Sequence, residues 1–290
     1  MAFRHAYLHG FASSPLSTKG QAMRRFYASR GVEMLTPDLN TPSFGELTYS
    51  GMLGAVDALD VAPDLSERHP WRLMGSSMGG FVAARWAELN PTRVDRLILL
   101  CPAFGFAERW PELIGATAFE RWRETGSMLM PGPGGAPVDL HYALVEDAAT
   151  HPAEPVVPCP TLIIHGRADT VVPIDLSRAY AAAHPERVTL LEVDDDHLLG
   201  SSHAQIQAKA VEFLLDPDHT LYWDHFGATA KGTAEHFKIH LDEFLVSEGL
   251  EGCSTGVEII EPERHAAAWC RCPEHLVSVI GRALRPRRVD

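Results

Sequence analysis

Short apolar runs alternate with helix-like segments along most of the chain, and this alternation limits the choice of fold more than any other feature. Strand and helix units that follow one another build a mostly parallel sheet, with helices covering both of its faces. We therefore predict the α/β class, with reactive side chains at the carboxyl ends of the strands. The predicted strands are 3–10, 32–38, 71–75, 94–104, 160–166 and 186–193. The predicted helices are 17–30, 45–61, 80–90, 174–183 and 203–215.

Two regions interrupt this alternation. Residues 105–158 contain tryptophans, several prolines and the helix-breaking run MPGPGGAP at 130–137, and they are too long for a plain connection. We predict that they form a helical cap over the edge of the sheet. After the linker-like DPDH at 216–219, a strand–helix–strand–strand–helix pattern predicts a small α+β domain. The expected domains are therefore 1–215, which includes the cap insertion, and 219–290.

The composition excludes several classes of protein. Of the 290 residues, 46% are hydrophobic and 22% are charged, as expected of a globular protein with a sizeable core. The formal net charge of −13 argues against binding to nucleic acid or to an anionic membrane surface. No apolar stretch reaches the roughly 18–20 residues of a membrane span, and five scattered cysteines do not suggest a disulfide framework. Since the first residues carry no signal-peptide pattern, we expect a cytoplasmic protein without membrane insertion.

The stretch MGSSMGG at 74–80 contains a candidate nucleophile. Gly75, Ser77 and Gly79 match the pattern G-x-S-x-G, in which the serine occupies a sharp turn between a strand and a helix. Ser76 does not fit this pattern, because a methionine stands two residues before it. A phosphate-binding loop would need a Walker or dinucleotide glycine pattern, and this stretch has neither. A plain glycine-rich turn remains the alternative interpretation.

A serine hydroxyl needs a base to become nucleophilic, and the base needs an acid that orients it. Asp169 lies just after the strand-like run PTLIIHG, and His197 lies just after the next one. The order serine, aspartate, histidine along the chain is one in which such triads occur. Asp175 is the alternative acid, and His203 is the alternative base, although it is also placed to begin the next helix. Asp194–Asp196 are expected to cap a turn rather than to orient the imidazole.

The oxyanion of a tetrahedral intermediate needs two hydrogen-bond donors. We expect one to be the backbone N–H of Met78, at the start of the helix that follows Ser77. The other is expected to be the backbone N–H of Phe11, in the loop of YLHGFASSP after the first strand. His9 is expected to hold this loop in place rather than to take part in proton transfer.

Four segments together resemble the α/β-hydrolase superfamily over residues 3–215: the HGF of YLHGF, GSSMGG, HGRADTVVP and DDDH. The opening loop YLHGFASSPLSTKG is more narrowly similar to that of the small bacterial YqiA-type esterases. This resemblance implies an α/β-hydrolase fold and carboxylesterase or thioesterase activity on acyl substrates. The C-terminal residues depart from the compact pattern of that family. The roles that the resemblance implies are nucleophile for Ser77, acid for Asp169, base for His197 and oxyanion-hole amides for Phe11 and Met78.

The predicted cap is rich in large apolar side chains. Phe106, Trp110 and Trp122 are candidates to line a substrate pocket, although most cap residues of this kind simply bury the cap against the sheet. Few polar recognition residues stand among them, which favours an uncharged acyl chain over a sugar or a phosphate.

The C-terminal domain contains several histidines and cysteines, which raises the alternative of a zinc site. His236 and His240 are spaced to lie on one helix face, and Cys270 and Cys272 to lie on one strand face. A structural zinc site usually has two cysteine or histidine pairs at closer spacing, so we expect core cysteines and no metal. The domain is instead a candidate for homodimerisation.

These features predict a serine hydrolase that cleaves carboxylic esters of short to medium acyl chains through an acyl-enzyme. The expected partner is a small-molecule ester, and no metal or organic cofactor is expected. An acyl-CoA thioesterase is one alternative, since it would use the same residues. A non-catalytic binding protein that keeps the fold is another.

Overall fold

The computed structural model of the protein describes residues 3–61, 69–215, 218–250 and 252–290. The chain divides into two compact units. The first contains the described residues of 2–25 and 33–214, and the second those of 26–32 and 215–290. The linker expected at 216–219 lies partly outside the described residues.

The first unit is built on a parallel sheet. Its strands are β1 (Arg4–Leu8), β2 (Met34–Leu35), β3 (Trp71–Ser76), β4 (Val94–Leu100), β5 (Ser127–Pro131), β6 (Pro137–His141), β7 (Thr161–Gly166) and β8 (Val188–Val193). The parallel sheet has the order β2-β1-β3-β4-β7-β8, while β5 and β6 form a separate antiparallel hairpin. The edge strand β2 contains only two residues, fewer than predicted, and both pair with β1.

Helices cover both faces of this sheet. Every residue of β3 and β7 is buried, which requires packing partners on each side. The α/β class predicted from the sequence is therefore confirmed. The helices before residue 215 are α1 (Thr18–Ala28), α2 (Tyr49–Asp57), α3 (Met78–Leu89), α4 (Trp110–Ile114), α5 (Ala116–Thr125), α6 (Ala143–Ala148), α7 (Ile174–Ala183) and α8 (His203–Leu214).

The register of the sheet brings several strand ends to one edge. Ser76, the last residue of β3, pairs with Leu100 at the end of β4. Gly166, the last residue of β7, pairs with Val193 at the end of β8. Since all of these strands run in one direction, the loops that follow them emerge side by side.

The insertion between β4 and β7 is not purely helical. After a 3-10 turn at Phe106–Arg109, it contains α4, α5, the β5–β6 hairpin and α6. The predicted breaker run at 130–137 supplies the loop of this hairpin, so it reverses the chain instead of leaving it irregular. The Nε1–H of Trp122 on α5 donates to the carbonyl of Leu140 on β6 at 2.9 Å, which ties the helix to the hairpin.

The second unit has a topology that the sequence pattern did not specify. Its elements are β9 (Asp218–Phe226), α9 (Ala230–Ser247), β10 (Ser254–Glu261), β11 (His265–Pro273), α10 (Glu274–Leu284) and β12 (Arg288–Val289). The strands form an antiparallel sheet in the order β10-β11-β9-β12. This β-α-β-β-α-β arrangement is ferredoxin-like. Strand β12 was not predicted, because two residues carry no period-2 pattern.

The cysteines of the second unit belong to its core. Cys270 and Cys272 on β11 are buried, and they share one apolar cluster with Leu221 and Leu241. The exposed His236 and His240 on α9 have their Nε2 atoms 3.2 Å apart. Homodimerisation through this unit stays a prediction.

In the part of the chain that the structure describes, no helix combines the length and the apolar character needed to cross a lipid bilayer.

Candidate active site

The turn between β3 and α3 presents the side chain of Ser77 at the edge of the sheet. Its backbone has φ 54° and ψ −119°, a region that residues with a side chain rarely occupy. A Cβ atom on Gly75 would collide with the backbone of Gly79, and one on Gly79 would collide with the carbonyls of Leu8 and His9. The two glycines of the predicted pattern are therefore steric requirements of this turn.

Three side chains from separate loops form one hydrogen-bonded chain. The Nε2 of His197 lies 3.0 Å from Oγ of Ser77, and its Nδ1 lies 2.7 Å from Oδ2 of Asp169. The side chain of Asp169 is fully buried, and that of His197 is 17% exposed. The structure thus brings together the three residues that the sequence analysis selected. A hydroxyl, an imidazole and a carboxylate in this order can move a proton from the serine to the histidine.

Asp169 is held by more groups than His197 alone. Its Oδ1 accepts the backbone N–H groups of Val171 and Val172, each at 2.8 Å. The Nε2 of the buried His165 lies 3.2 Å from its Oδ2. Burial by itself raises the pKa of Asp169, but the hydrogen bonds from His165, His197 and Val172 outweigh it and hold that pKa well below its usual range. The carboxylate is therefore anionic beside His197.

The sequence analysis missed His165, although it stands in the strand-end segment that was used to find Asp169. Its Nε2 is 2.9 Å from the carbonyl of Val172 and its Nδ1 is 2.8 Å from Oγ of Ser177. Nε2 faces two acceptors, this carbonyl and the carboxylate of Asp169, so it carries the proton, and Nδ1 accepts from the hydroxyl of Ser177. A buried histidine with both nitrogens engaged fixes the loop on which Asp169 lies.

The aspartates before His197 shape its loop. Oδ2 of Asp195 accepts from the backbone N–H groups of Ser201 and Ser202 and from the Ser202 hydroxyl, at 2.8–2.9 Å. Oδ1 of Asp196 accepts from the N–H of Leu198 at 2.8 Å. These contacts close the turn that carries the imidazole, the structural task expected of these aspartates.

The alternative acid and base lie elsewhere. Asp175 is on α7 and forms an exposed ion pair with Arg178 at 2.9 Å. His203 is the first residue of α8. Neither is hydrogen-bonded to Ser77, Asp169 or His197 in the described residues.

The two expected oxyanion donors are the backbone N–H groups of Phe11 and Met78. Within the described residues, neither the backbone N–H of Phe11 nor that of Met78 donates to a backbone or side-chain acceptor. Met78 is the first residue of α3, where backbone N–H groups have no partner within the helix. His9 holds the loop of Phe11, since its Nε2 accepts the N–H of Leu39 at 3.0 Å and its Nδ1 donates to the carbonyl of Gly10 at 2.9 Å.

A half-buried lysine lies behind the nucleophile. The Nζ of Lys19 donates to Oγ of Ser76 at 3.2 Å, and Ser76 is also hydrogen-bonded to the hydroxyl of Tyr7. Desolvation lowers the pKa of Lys19, although the nearby carboxylates of Asp195, Asp196 and Asp169 oppose that effect. Ser76, left without a role by the sequence pattern, thus connects this ammonium to the strand that ends at Ser77.

One group in the described residues brings enough ligand atoms together for a metal ion. It consists of Cys101, Asp169 and His197, whose ligand atoms lie within 4.8 Å of one another. Burial raises the pKa of the Cys101 thiol to about 12, so that it stays protonated and is a poor ligand. Both nitrogens of His197 are already engaged. The donor set therefore fits a triad with a neighbouring thiol better than a metal centre.

The three predicted pocket residues differ in their surroundings. Trp110 and Trp122 are 2% and 0% exposed and pack edge to face against each other in the core. Phe106 is also buried, but it lines a cavity of about 230 Å³ together with Phe81 and Ala103. The ring of Phe11 lies 5.7 Å from that of Trp110, which links the oxyanion loop to the cap.

Solved structures with the same fold are known from several sources. Alpha/beta hydrolase domain-containing protein 10 from mouse matches with 21% identity over 71% of this chain and 87% of its own, at a TM-score of 0.56. Est1E from Butyrivibrio proteoclasticus, with ferulic acid bound, matches with 21% identity over 73% and 87%, at 0.55. A structure from work on LipS and LipT, two metagenome-derived lipolytic enzymes, matches with 20% identity over 73% and 94%, at 0.56. The predicted resemblance to α/β-hydrolases is confirmed by this likeness in fold.

Comparisons of the sequence with known proteins identify the family of the chain. A search of the curated proteins finds no match to this chain. A family model matches residues 5–214, which is most of the chain and almost all of the first unit. The match ends at residue 214, so that the ferredoxin-like strands and helices, which begin with β9, lie outside it. The chain therefore belongs to the uncharacterised protein family UPF0227.

Proposed function

We propose that the protein is a serine hydrolase that cleaves carboxylic esters of short to medium acyl chains through an acyl-enzyme. The observation that carries this proposal is the hydrogen-bonded chain from Ser77 through His197 to Asp169, with distances of 3.0 and 2.7 Å. A serine in a strained turn, a base in contact with it and an anionic carboxylate behind the base are the groups that acyl transfer to serine requires.

In the acylation half of the reaction, Oγ of Ser77 attacks the ester carbonyl carbon while Nε2 of His197 takes the hydroxyl proton. The resulting oxyanion accepts hydrogen bonds from the backbone N–H groups of Phe11 and Met78. The buried carboxylate of Asp169 stabilises the imidazolium that forms. When the intermediate collapses, the C–O bond to the alcohol breaks and His197 returns its proton to the leaving oxygen.

In the deacylation half, a water molecule takes the place of the alcohol. His197 removes a proton from this water as it attacks the acyl carbon, and the second oxyanion uses the same two N–H groups. Collapse of this intermediate releases the carboxylic acid and restores the hydroxyl of Ser77. The ester and one water molecule balance the two halves, and the proton passes through His197 in each.

The side chains near the oxyanion donors favour an uncharged acyl group of limited size. The ring of Phe11 lies 5.1 Å from that of Phe44 and 5.7 Å from that of Trp110. Burial of an apolar acyl chain against such rings is favourable, whereas a charged group would lose its hydration there. The bulk of these rings is our reason for proposing short to medium chains.

The test is labelling with a fluorophosphonate probe, combined with hydrolysis of a short nitrophenyl ester. We expect the native chain to be labelled and active, and Ser77→Ala to be neither. Ser76→Ala is the matched control, because its Oγ contacts Lys19 and not His197, and it should still be labelled. Full ester hydrolysis by Ser77→Ala would refute the proposal.

Two measurements on the same protein test the alternatives, a thioesterase and a non-catalytic binding protein. Turnover of an acyl-CoA thioester against a nitrophenyl ester with the same acyl chain separates a thioesterase from an esterase. Absence of both labelling and turnover would favour a binding protein that keeps the fold.

A further inference from the structure

Two histidines on α9 place their ring nitrogens side by side on the surface of the second unit. His236 and His240 are four residues apart, so they lie on one face of the helix. Both side chains are exposed, and their rings meet edge to face with 4.6 Å between centroids. Their Nε2 atoms are 3.2 Å apart. Since imidazole nitrogen is a favoured ligand of zinc, nickel and copper ions, this pair is a candidate metal site.

The separation of the two nitrogens suits a shared metal ion. Bonds from imidazole nitrogen to such an ion are about 2.0–2.1 Å long. With the Nε2 atoms 3.2 Å apart, an ion bound to both would make a nitrogen–metal–nitrogen angle of about 100–105°. This angle lies between the roughly 90° of octahedral and the roughly 109° of tetrahedral coordination. Either geometry is therefore within reach of the pair.

Glu243 prepares His240 to act as a ligand. Nδ1 of His240 lies 3.0 Å from Oε2 of Glu243. A carboxylate only accepts hydrogen bonds, so Nδ1 carries the proton of this imidazole and Nε2 has a lone pair. A carboxylate that accepts from the far nitrogen of a ligating histidine is the usual outer partner in metal sites, where it fixes the tautomer and the orientation of the ring.

The second histidine can free its nitrogen without a change of charge. In the metal-free protein, Nε2–H of His236 donates to the lone pair on Nε2 of His240. A neutral imidazole can carry its proton on either nitrogen, so a shift of this proton to Nδ1 leaves Nε2 of His236 able to bind an ion. Two nitrogen–metal bonds then replace one hydrogen bond.

The helix supports the pair. Leu241, the neighbour of His240, is 1% exposed and packs in the core of the second unit, which fixes α9 at this point. Lys231 and Lys238, the two lysines of α9, are each paired with a carboxylate four residues further on, at 3.8 and 2.6 Å. Their charges are thus largely compensated, and the net charge of −13 favours the approach of a cation.

From this geometry, we propose that His236 and His240 bind one divalent ion of the zinc, nickel or copper type, with Glu243 as the outer partner of His240. The pair offers one ligand atom fewer than the group around Cys101, so water molecules fill the remaining positions of the ion. The sequence analysis set zinc aside because cysteine and histidine pairs at close spacing were missing, whereas this site uses no cysteine. The site is independent of the proposed esterase activity.

The test is isothermal titration calorimetry of the full chain with Ni²⁺, Zn²⁺ and Mg²⁺. We expect saturable binding of one Ni²⁺ or one Zn²⁺ and none of Mg²⁺, which prefers oxygen ligands. His236→Ala and His240→Ala should each weaken Ni²⁺ binding by about tenfold or more, because even the loss of an outer partner typically has an effect of that size. Alanine is a good helix former at these exposed positions, so both variants should fold. The matched control is His141→Ala, which removes an exposed histidine of β6 and should leave the affinity unchanged.

Glu243→Ala should weaken Ni²⁺ binding about tenfold, and Glu243→Gln, which keeps an acceptor for Nδ1–H, should weaken it less. Absence of saturable Ni²⁺ and Zn²⁺ binding would overturn the proposal, as would equally tight binding of Mg²⁺ or equal affinities in His236→Ala, His240→Ala and His141→Ala. Ser77→Ala should bind Ni²⁺ as tightly as the native chain whether or not the protein is an esterase. A weaker affinity in that variant would place the ion near the triad and refute the site on α9.

Discussion

The ammonium of Lys19 lies 3.2 Å from Oγ of Ser76, the residue directly before the proposed nucleophile. Three carboxylates act on its charge, those of Asp169, Asp195 and Asp196. Lys19 is thus a positive charge among the negative groups that surround the loop of His197. From this relationship we expect the lysine to affect the pH dependence of the proposed reaction.

We predict that Lys19→Met shifts the acidic limb of the kcat/KM profile to higher pH. Without the ammonium, the surrounding carboxylates stabilise the imidazolium form of His197, which cannot accept the proton of Ser77. At pH 6, the factor by which kcat/KM falls relative to the native enzyme should be about three times the factor at pH 8. Lys19→Arg keeps the charge and should keep the profile. A uniform loss at all pH values would show a role in packing alone.

Asp169 should make the stability of the protein depend on pH in the acid range. Its pKa is lower in the folded than in the unfolded protein, so the stabilisation is complete above the unfolded value of about 4 and is lost as pH falls below it. Asp169→Asn should therefore show a smaller decrease in unfolding free energy between pH 5 and pH 3. Urea denaturation at each pH measures this, and the exposed Asp175→Asn is the control.

The same pair of variants tests the assignment of the acid. Asp169→Asn should lower kcat on the order of 10³- to 10⁴-fold, because an amide cannot hold His197 in the required tautomer. Asp175→Asn should leave kcat nearly unchanged. The opposite ranking in a nitrophenyl ester assay would transfer the role of the acid to Asp175.

Ser177 should contribute to stability through His165. Ser177→Ala leaves Nδ1 of the fully buried His165 without its hydrogen bond, and an unpaired buried nitrogen costs about 1–3 kcal/mol. The free energy of unfolding, measured with urea, should fall by that amount. Ser201→Ala removes an exposed hydroxyl and should change it by less than about 0.5 kcal/mol. Equal effects would contradict the importance of this hydrogen bond.

The glycines of the nucleophile turn should not tolerate a side chain. Gly79→Ala puts a methyl group against the carbonyls of Leu8 and His9, and we expect a loss of about 3 kcal/mol or more, because backbone must move. Gly54 on α2 has open space around the same position, so Gly54→Ala should stabilise the protein by about 0.5–1 kcal/mol. Thermal unfolding measures both changes, and a stable Gly79→Ala would disprove the steric argument.

Much of the first unit could be read from the order of its residues. The alternation of apolar runs and helical segments is a local signal, because each strand or helix is built from neighbours in the chain. The choice of Ser77 over Ser76 was also local, since it depends on glycines two residues away on either side. The insertion was less predictable, because the hairpin β5–β6 depends on pairing that single-strand patterns do not encode.

The remaining features of the candidate site depend on contacts between distant parts of the chain. Ser77 and His197 are 120 residues apart, and Lys19 and Ser76 are 57 apart. The positions of residues along the chain identified the candidates for acid and base, but they did not give the distances between these side chains in the folded protein. His165 and Lys19 were not recognised, because a histidine in a strand and a lysine in a helix have no local pattern that marks them. Their importance comes from burial and from neighbouring charges, which exist only after the sheet has brought the ends of its strands together.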